Sequence, residues 1–184
     1  MKSRLLIAIL SAACAAHTQT LRVVPVRLDA SVSIPKAIEF FCTMDYDRKA
    51  CLKDSITLRR ALAPYPLDRL GAWSFVLAPS DDWKNLVHSL GGDPTSPAFS
   101  IIEQRTTVLE RSLFSATVSR NKDFLLTFGV IGSALLDLAV THELGHGICQ
   151  VRDERRADDY GRKLRQTKTV DCTKTSGGKT HALR

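Results

Sequence analysis

The chain has 184 residues, of which 44% are hydrophobic and 24% charged, as expected for one soluble globular domain with processing segments. Its formal net charge of +7 fits a solvated surface, or attraction to anionic envelope surfaces and acidic substrates. Basic residues are not interleaved with aromatic residues, and the sequence shows no nucleic-acid-binding motif, so we expect no nucleic-acid partner.

Residues 1–16 have the order of a secretory signal peptide. A basic start precedes an apolar run over residues 5–13 that is too short for a permanent membrane span, and small residues follow. We predict cleavage after Ala16 or one residue earlier, and export to the periplasm, the cell envelope or the extracellular space. A lipid anchor at Cys14 is the alternative, because residues 10–14 resemble a lipobox. No other segment of the sequence is long and apolar enough to cross a membrane.

The rest of the chain is predicted to mix strands and helices. In chain order we predict a strand over residues 21–32, a short helix over 35–41, a helix over 54–62, a strand over 73–78, a helix over 83–90, one or two strands within 100–114, a helix that begins near 133, and a last helix from 153 to about 165. Residues 121–128 fit either type of element. Pro25 would place the first strand at a sheet edge, and Pro35 favours the first turn of a helix.

The capping residues and the order of elements complete this prediction. Asp54 or Ser55, Ser133 and Asp153 are the expected N-caps of three of these helices. The order of elements predicts an α+β fold with a mainly antiparallel or mixed sheet. We expect one domain over residues 17–166, followed by a polar and flexible tail over residues 167–184.

Four cysteines remain after the predicted signal peptide, namely Cys42, Cys51, Cys149 and Cys172. An even number in an exported chain predicts two disulfides, and the sequence permits three pairings. A short polar loop separates Cys42 from Cys51, which favours that pair. The pair Cys149–Cys172 would then tie the tail to the end of the preceding helix.

The segment His142-Glu143-Leu144-Gly145-His146 carries the strongest chemical pattern in the chain. Histidines four residues apart project from one face of a helix, so their imidazoles can reach one metal ion. Glu143 projects from a different side of the helix, so its carboxylate can reach a metal-bound water without being a ligand. Gly145 weakens the helix, which indicates that another backbone approaches closely at that position.

The metzincin extension of this motif is absent, because Cys149 and Arg152 stand where its glycine and third histidine belong. Residues 133–164 instead resemble the gluzincins, the thermolysin-like zinc metallopeptidases, in a size close to the minigluzincins. The resemblance implies a zincin-like fold, with a backing helix, an active-site helix and a following glutamate helix. It also implies that Glu154 is the third zinc ligand and that Asp158 orients His142 from outside the ligand shell.

Seven residues separate His146 from Glu154, so the chain must turn back within about four residues, with Gly147 as a candidate to end the helix. Asp153, Asp158 or Asp159 could serve as the third ligand in place of Glu154.

The resemblance implies an exported metallopeptidase that holds one Zn²⁺ per chain and cleaves a peptide or protein substrate. A zinc-bound water would attack the peptide bond, with Glu143 as general base and Tyr160 as a candidate stabiliser of the oxyanion. Residues 106–109 are the candidate edge strand on which the substrate would lie, and an interior strand is the alternative for this segment. The alternative is a catalytically idle zinc-binding or interaction module of the envelope on the same fold.

Overall fold

The computed structural model describes residues 21–27 and 34–173. These residues form five strands, β1 (Val23–Pro25), β2 (Ile38–Thr43), β3 (Trp73–Ala78), β4 (Ala98–Ile101) and β5 (Thr106–Glu110). They also form five α-helices, α1 (Arg48–Leu62), α2 (Trp83–Ser89), α3 (Val118–Phe128), α4 (Gly132–Cys149) and α5 (Glu154–Thr167). The predicted signal peptide with Cys14, residues 28–32 of the first predicted strand, and the tail beyond residue 173 lie outside the described residues.

The five strands form one mixed sheet in the order β1-β2-β3-β5-β4. Strands β2, β3 and β5 are parallel, and the outer strands β1 and β4 each pair antiparallel with their neighbour. The central strands β3 and β5 are buried on both faces, as is usual for parallel strands that are covered on each side. The predicted α+β class with a mixed sheet is thus confirmed at the level of secondary structure and sheet topology.

Helices cover both faces of the sheet. On one face, Phe75 and Leu109 pack into the larger core with residues of α1, α4 and α5. On the other face, Val76 and Val108 pack into a smaller core around Trp83 of α2. Alternation of buried side chains along each strand therefore places α4, which carries the histidines, on the side of the larger core.

The predicted helix over residues 35–41 is wrong, because this segment enters strand β2. Pro35 forms a tight turn in which its carbonyl accepts the amide of Ile38, and the chain is extended from that residue onward. Phe40 faces the larger core and Phe41 the smaller one, so burial with a period of two residues outweighs the helix preference of the proline.

The predicted edge strand over residues 106–109 is also wrong. Strand β5 pairs with β3 on one side and with β4 on the other, so the free edge on this side belongs to β4. Arg105, in the left-handed region at φ 50°, turns the chain back so that β4 and β5 form a hairpin. At the opposite edge lies β1 with Pro25, as predicted from that proline.

The other predicted helices are present, although some begin elsewhere. Helix α1 begins at Arg48 with Asp47 as its cap, and Asp54 is instead buried inside the helix, where it accepts the hydroxyl of Tyr46. Helix α4 begins at Gly132 after Ile131 and not after a Ser133 cap. The Asp153 cap of α5 is confirmed, since its side chain accepts the amide of Arg156.

Both predicted disulfides are present. Cys42–Cys51 ties β2 to α1, and Cys149–Cys172 ties the last residue of α4 to the segment that follows α5. Within the described ranges no single helix has the length and apolarity to cross a membrane; α3 and α4 satisfy that test only together, and they are bent by 54°.

Candidate metal centre

Helix α4 positions the two histidines because most of its surface is buried. Leu135, Val140 and Leu144 lie in the larger core and fix the rotation of the helix about its axis. With that rotation, His142 and His146 face a cleft between α4 and the β4 edge of the sheet. Since α4 is apolar around most of its circumference, its packing against the larger core, and not a single apolar stripe, sets which face looks into the cleft.

The chain reverses direction in four residues between α4 and α5. Gln150 ends α4 in the left-handed region at φ 51°, and its amide donates to the carbonyl of His146. The amide of Val151 donates to the same carbonyl. The Asp153 cap then starts α5, so the turn predicted to be tight is made by Gln150, whereas Gly147 lies inside the helix.

Two glycines let the backbones of α4 and α5 cross at close range. A Cβ on Gly145 would come within 2.7 Å of the carbonyl oxygen of Ala157. A Cβ on Gly161 would come within 2.9 Å of the carbonyl oxygen of Thr141 and 3.0 Å of the amide nitrogen of His142. The close approach expected at Gly145 is therefore present, and it brings the first turn of α5 beside the histidines.

Three ligand atoms converge at this crossing. The Nε2 atom of His142 lies 3.1 Å from Nε2 of His146 and 3.0 Å from Oε2 of Glu154. Nε2 of His146 lies 3.5 Å from the same carboxylate oxygen. For metal–ligand distances of about 2.0–2.2 Å, two ligand atoms of a tetrahedral ion lie about 3.3–3.6 Å apart. The group thus fits a single ion with little adjustment.

The ring nitrogen that faces away from the ligand group, Nδ1, makes a hydrogen bond in each histidine. Nδ1 of His142 lies 2.8 Å from Oδ1 of Asp158, and Nδ1 of His146 lies 2.7 Å from the carbonyl oxygen of Val151. A carbonyl only accepts, so Nδ1 of His146 carries the proton and Nε2 presents a lone pair. Two imidazole nitrogens and a carboxylate oxygen that face one another in this way repel, unless a proton or a metal cation lies between them.

The acidic neighbours of His142 favour a positive charge at this point. Burial disfavours the charged ring, but Glu143, Asp158 and Glu154 outweigh it and hold the pKa of His142 above its ordinary value. A site that attracts a proton in this way also attracts a cation with two positive charges.

Glu143 is buried on the cleft side of α4, with only 4% of its surface exposed. Burial raises the pKa of its carboxyl, against the lowering effect of His142, of His146 and of a hydrogen bond with Ser100. Its Oε2 atom has no hydrogen-bond partner among the described residues. Glu143 therefore lines the cleft with an acceptor oxygen that no other described group uses.

A chain of hydrogen bonds leads from the sheet to Glu143. The indole nitrogen of Trp73 donates to Oγ1 of Thr107 at 3.0 Å, and that hydroxyl lies 2.8 Å from Oγ of Ser100. With the Thr107 hydroxyl donating to Ser100, the Ser100 hydroxyl is left to donate to the carboxylate of Glu143. Nothing in the sequence marked Ser100, because it comes from a strand about forty residues before the motif.

The cleft in front of these residues has a volume of about 850 Å³. Its walls are the β4 edge with the adjoining loops, the end of α3, and an apolar strip of α4 formed by Leu135, Leu138 and Ala139. An ion pair between Glu103 and Arg152 joins the β4 wall to the turn before Glu154. The cleft is large enough for an extended peptide of several residues.

The remaining predicted site residues lie outside this cleft. Tyr160 is buried beneath α5, where its hydroxyl donates to the carbonyl of Cys172 and accepts from Arg156. Asp159 contacts Arg162 on its own helix, and Asp153 caps that helix. Of the acidic candidates, Glu154 and Asp158 are thus the two that the structure places against the histidines.

Comparisons with protein-family models, with curated proteins and with solved structures find no match to this chain.

Proposed function

We propose that this protein is an exported zinc metallopeptidase of the gluzincin type. The observation that carries the proposal is the convergence of His142, His146 and Glu154, with ligand atoms 3.0–3.5 Å apart and the outer nitrogens of both rings bonded. The two disulfides support export, because such bonds persist in oxidising compartments. A periplasmic, envelope or extracellular location is part of the proposal.

Zinc is the ion that this donor set favours, since two imidazoles and one carboxylate form a typical catalytic site with one open position. When bound, zinc would lower the pKa of a coordinated water and polarise a peptide carbonyl. His142 and His146 would hold the ion with neutral rings, while Asp158 and the carbonyl of Val151 keep those rings oriented.

Glu143 is the proposed general base. Its partnerless Oε2 accepts the proton of the attacking water, while Ser100 holds the rest of the carboxylate in place. The carboxyl then delivers this proton to the leaving amine, which completes cleavage of the C–N bond. Burial favours the protonated form between these two steps.

An extended peptide is the proposed substrate, and β4 is the proposed strand on which it lies. The outer side of β4 is free for pairing within the described residues, and β4 lines the same cleft as Glu143. Main-chain hydrogen bonds to this edge would align a peptide across the metal site.

The test combines metal analysis with hydrolysis of a peptide library. We expect one zinc per chain and cleavage by the native protein, and a fall in rate of about 10²–10⁴-fold for Glu143→Gln with zinc content unchanged. Glu39→Gln, on the exposed face of β2, is the matched control and should hydrolyse normally. Normal cleavage by Glu143→Gln would overturn the mechanism.

A catalytically idle zinc-binding module is the second candidate function. The position of Tyr160 favours it, because this hydroxyl is bonded beneath α5 and does not face the cleft, where an oxyanion would form. A native protein that binds zinc stoichiometrically but cleaves no member of the library would establish this alternative.

A further inference from the structure

The turn between α3 and α4 forms an apolar projection that the metal site does not use. We call residues 124–136 the elbow; they contain no charged side chain, although Asp123 and Asp137 flank them. Gly129 ends α3 in the left-handed region at φ 71°, and the two helices meet at an angle of 54°. The elbow is therefore a bend in the chain with apolar residues on its outer side.

The elbow exposes large aliphatic side chains to solvent. A domain of this size has a core in which such side chains are usually buried. Leu126 is 77% exposed, its neighbour Leu125 is 53% exposed, and Ile131, on the other side of the bend, is 43% exposed. A Cβ added to Gly129 or Gly132 would meet no other atom within 4 Å. The apex is thus open on its outer side, and contiguous exposed apolar surface of this kind marks an interaction site.

Basic side chains stand beside the elbow. Lys122 lies one helical turn before Leu126 on α3. From α5 and its end, Arg165 donates to the hydroxyl of Thr141, and Lys168 contacts Tyr65, which itself donates to Asp137 at the start of α4. The elbow therefore has an apolar apex with Lys122 one turn away, and Arg165 and Lys168 lie farther along, beside α4. Apolar residues next to lysine and arginine are typical of proteins that bind anionic lipid surfaces.

We propose that the elbow docks onto an anionic lipid bilayer, with Leu125, Leu126 and Ile131 inserted among the acyl chains. The basic side chains would then meet the lipid phosphates, and the net positive charge of the chain adds attraction at longer range. Such a projecting apex suits a fluid bilayer, which needs no complementary pocket. The proposal concerns contact with one leaflet and does not depend on the peptidase activity.

Docking would bring the cleft to the bilayer surface. Thr127 and Phe128, at the end of α3, line the cleft beside Leu135 and Leu138, so the elbow and the cleft share a wall. Polypeptides that lie at the membrane surface would therefore be closest to the metal site.

Sedimentation with lipid vesicles tests the proposal on the full mature chain. We expect binding to vesicles that contain phosphatidylglycerol, weaker binding to pure phosphatidylcholine, and a further decrease at high salt. Leu126→Glu and Ile131→Glu should each reduce the partition coefficient by about tenfold or more, since a charge would enter the acyl region. The circular dichroism spectrum and the thermal unfolding midpoint of both variants should match those of the native protein, which shows that they are folded.

Met44→Glu is the matched control, because Met44 is 63% exposed on the connection between β2 and α1. It should bind vesicles like the native chain. Absence of vesicle binding by the native protein would overturn the proposal, as would an equal loss in the control. A native dimer that Leu126→Glu converts to a monomer, without any lipid binding, would also overturn it, since the elbow would then be an interface between two copies.

Discussion

Glu154 differs from the two histidines in its surroundings. Its side chain is 76% exposed, whereas His146 is buried and His142 is largely so. The carboxylate thus closes the ligand group from the solvent side, and its position depends on the start of α5 and not on packing. Loss of this side chain should therefore change the metal site without disturbing the core.

We predict that Glu154→Ala lowers zinc affinity far more than Asp159→Ala does. Replacing a partner outside the ligand shell costs about 10–100-fold in affinity, and removal of a ligand should exceed that range. Asp159, on the same helix, contacts Arg162 and serves as the matched control. Competition with a chromophoric chelator measures both affinities, and equal losses would contradict the assignment of Glu154.

The sequence revealed those site residues that lie in one local pattern. The spacing of His142, Glu143 and His146 follows from helical geometry, and resemblance supplied Glu154 and Asp158. The carbonyl of Val151 and the hydroxyl of Ser100 could not be found in this way. Every residue has a backbone carbonyl, so the identity of Val151 does not indicate that its carbonyl contacts His146. The contact of Ser100 with Glu143 depends on tertiary packing between β4 and α4.

At the scale of the elements, the crossing of α4 and α5 controls the site. Without a side chain at Gly145 and Gly161, the two backbones approach closely enough for Glu154 to reach the histidines. Alanine is a better helix former than glycine by about 1 kcal/mol, so propensity alone would favour replacement of both residues. Steric contact and helix propensity therefore make opposite predictions for the same substitution.

We predict that Gly145→Ala destabilises the protein and weakens metal binding. The added methyl would come within 2.7 Å of a backbone carbonyl that cannot move as a flexible side chain could, and overpacking of this kind costs about 1–3 kcal/mol. Urea unfolding and zinc titration measure the two effects. Ser133→Ala, exposed in the first turn of α4, should change stability by less than about 0.5 kcal/mol; a Gly145→Ala protein that is more stable than the native one would refute this account.

Elements with a clear period were predicted correctly, and those decided by tertiary pairing were not. The apolar run of β3 and the capped helix α5 could be identified because local pattern and final environment agree. The segment that became β2 contains a proline that suggests a helix, yet its neighbours in the sheet are β1 and β3. The edge position of β4 depends on strand order, which no local pattern encodes.

For the molecule as a whole, the two disulfides have different relations to the site. Cys42–Cys51 closes a short loop between β2 and α1, far along the chain from the histidines. Cys149–Cys172 begins three residues after His146 and ends at the residue whose carbonyl accepts the Tyr160 hydroxyl. The second bond therefore holds α5 against the end of α4, where the turn toward Glu154 begins.

We predict that replacing Cys149 and Cys172 together with serine lowers both stability and zinc affinity, whereas replacing Cys42 and Cys51 lowers stability alone. From the loop-closure entropy, we expect either replacement to lower the free energy of unfolding by about 3 kcal/mol, so the two variants are matched in stability. Zinc titration under conditions where both variants are folded separates the effects. Equal zinc affinities in the two variants would show that the second disulfide does not support the site.

The ligands and their outer partners all lie between His142 and Asp158, within one pair of helices. Ser100, which bonds to the proposed base Glu143, and β4, which forms the opposite wall, come from the sheet and meet the helices only through contacts between residues far apart in sequence. Bringing the three ligands together therefore closes only short loops. Placing the proposed base correctly requires the sheet to have formed as well. During synthesis or heating, the proposed capacity to bind an ion should thus appear before the proposed catalytic competence and outlast it.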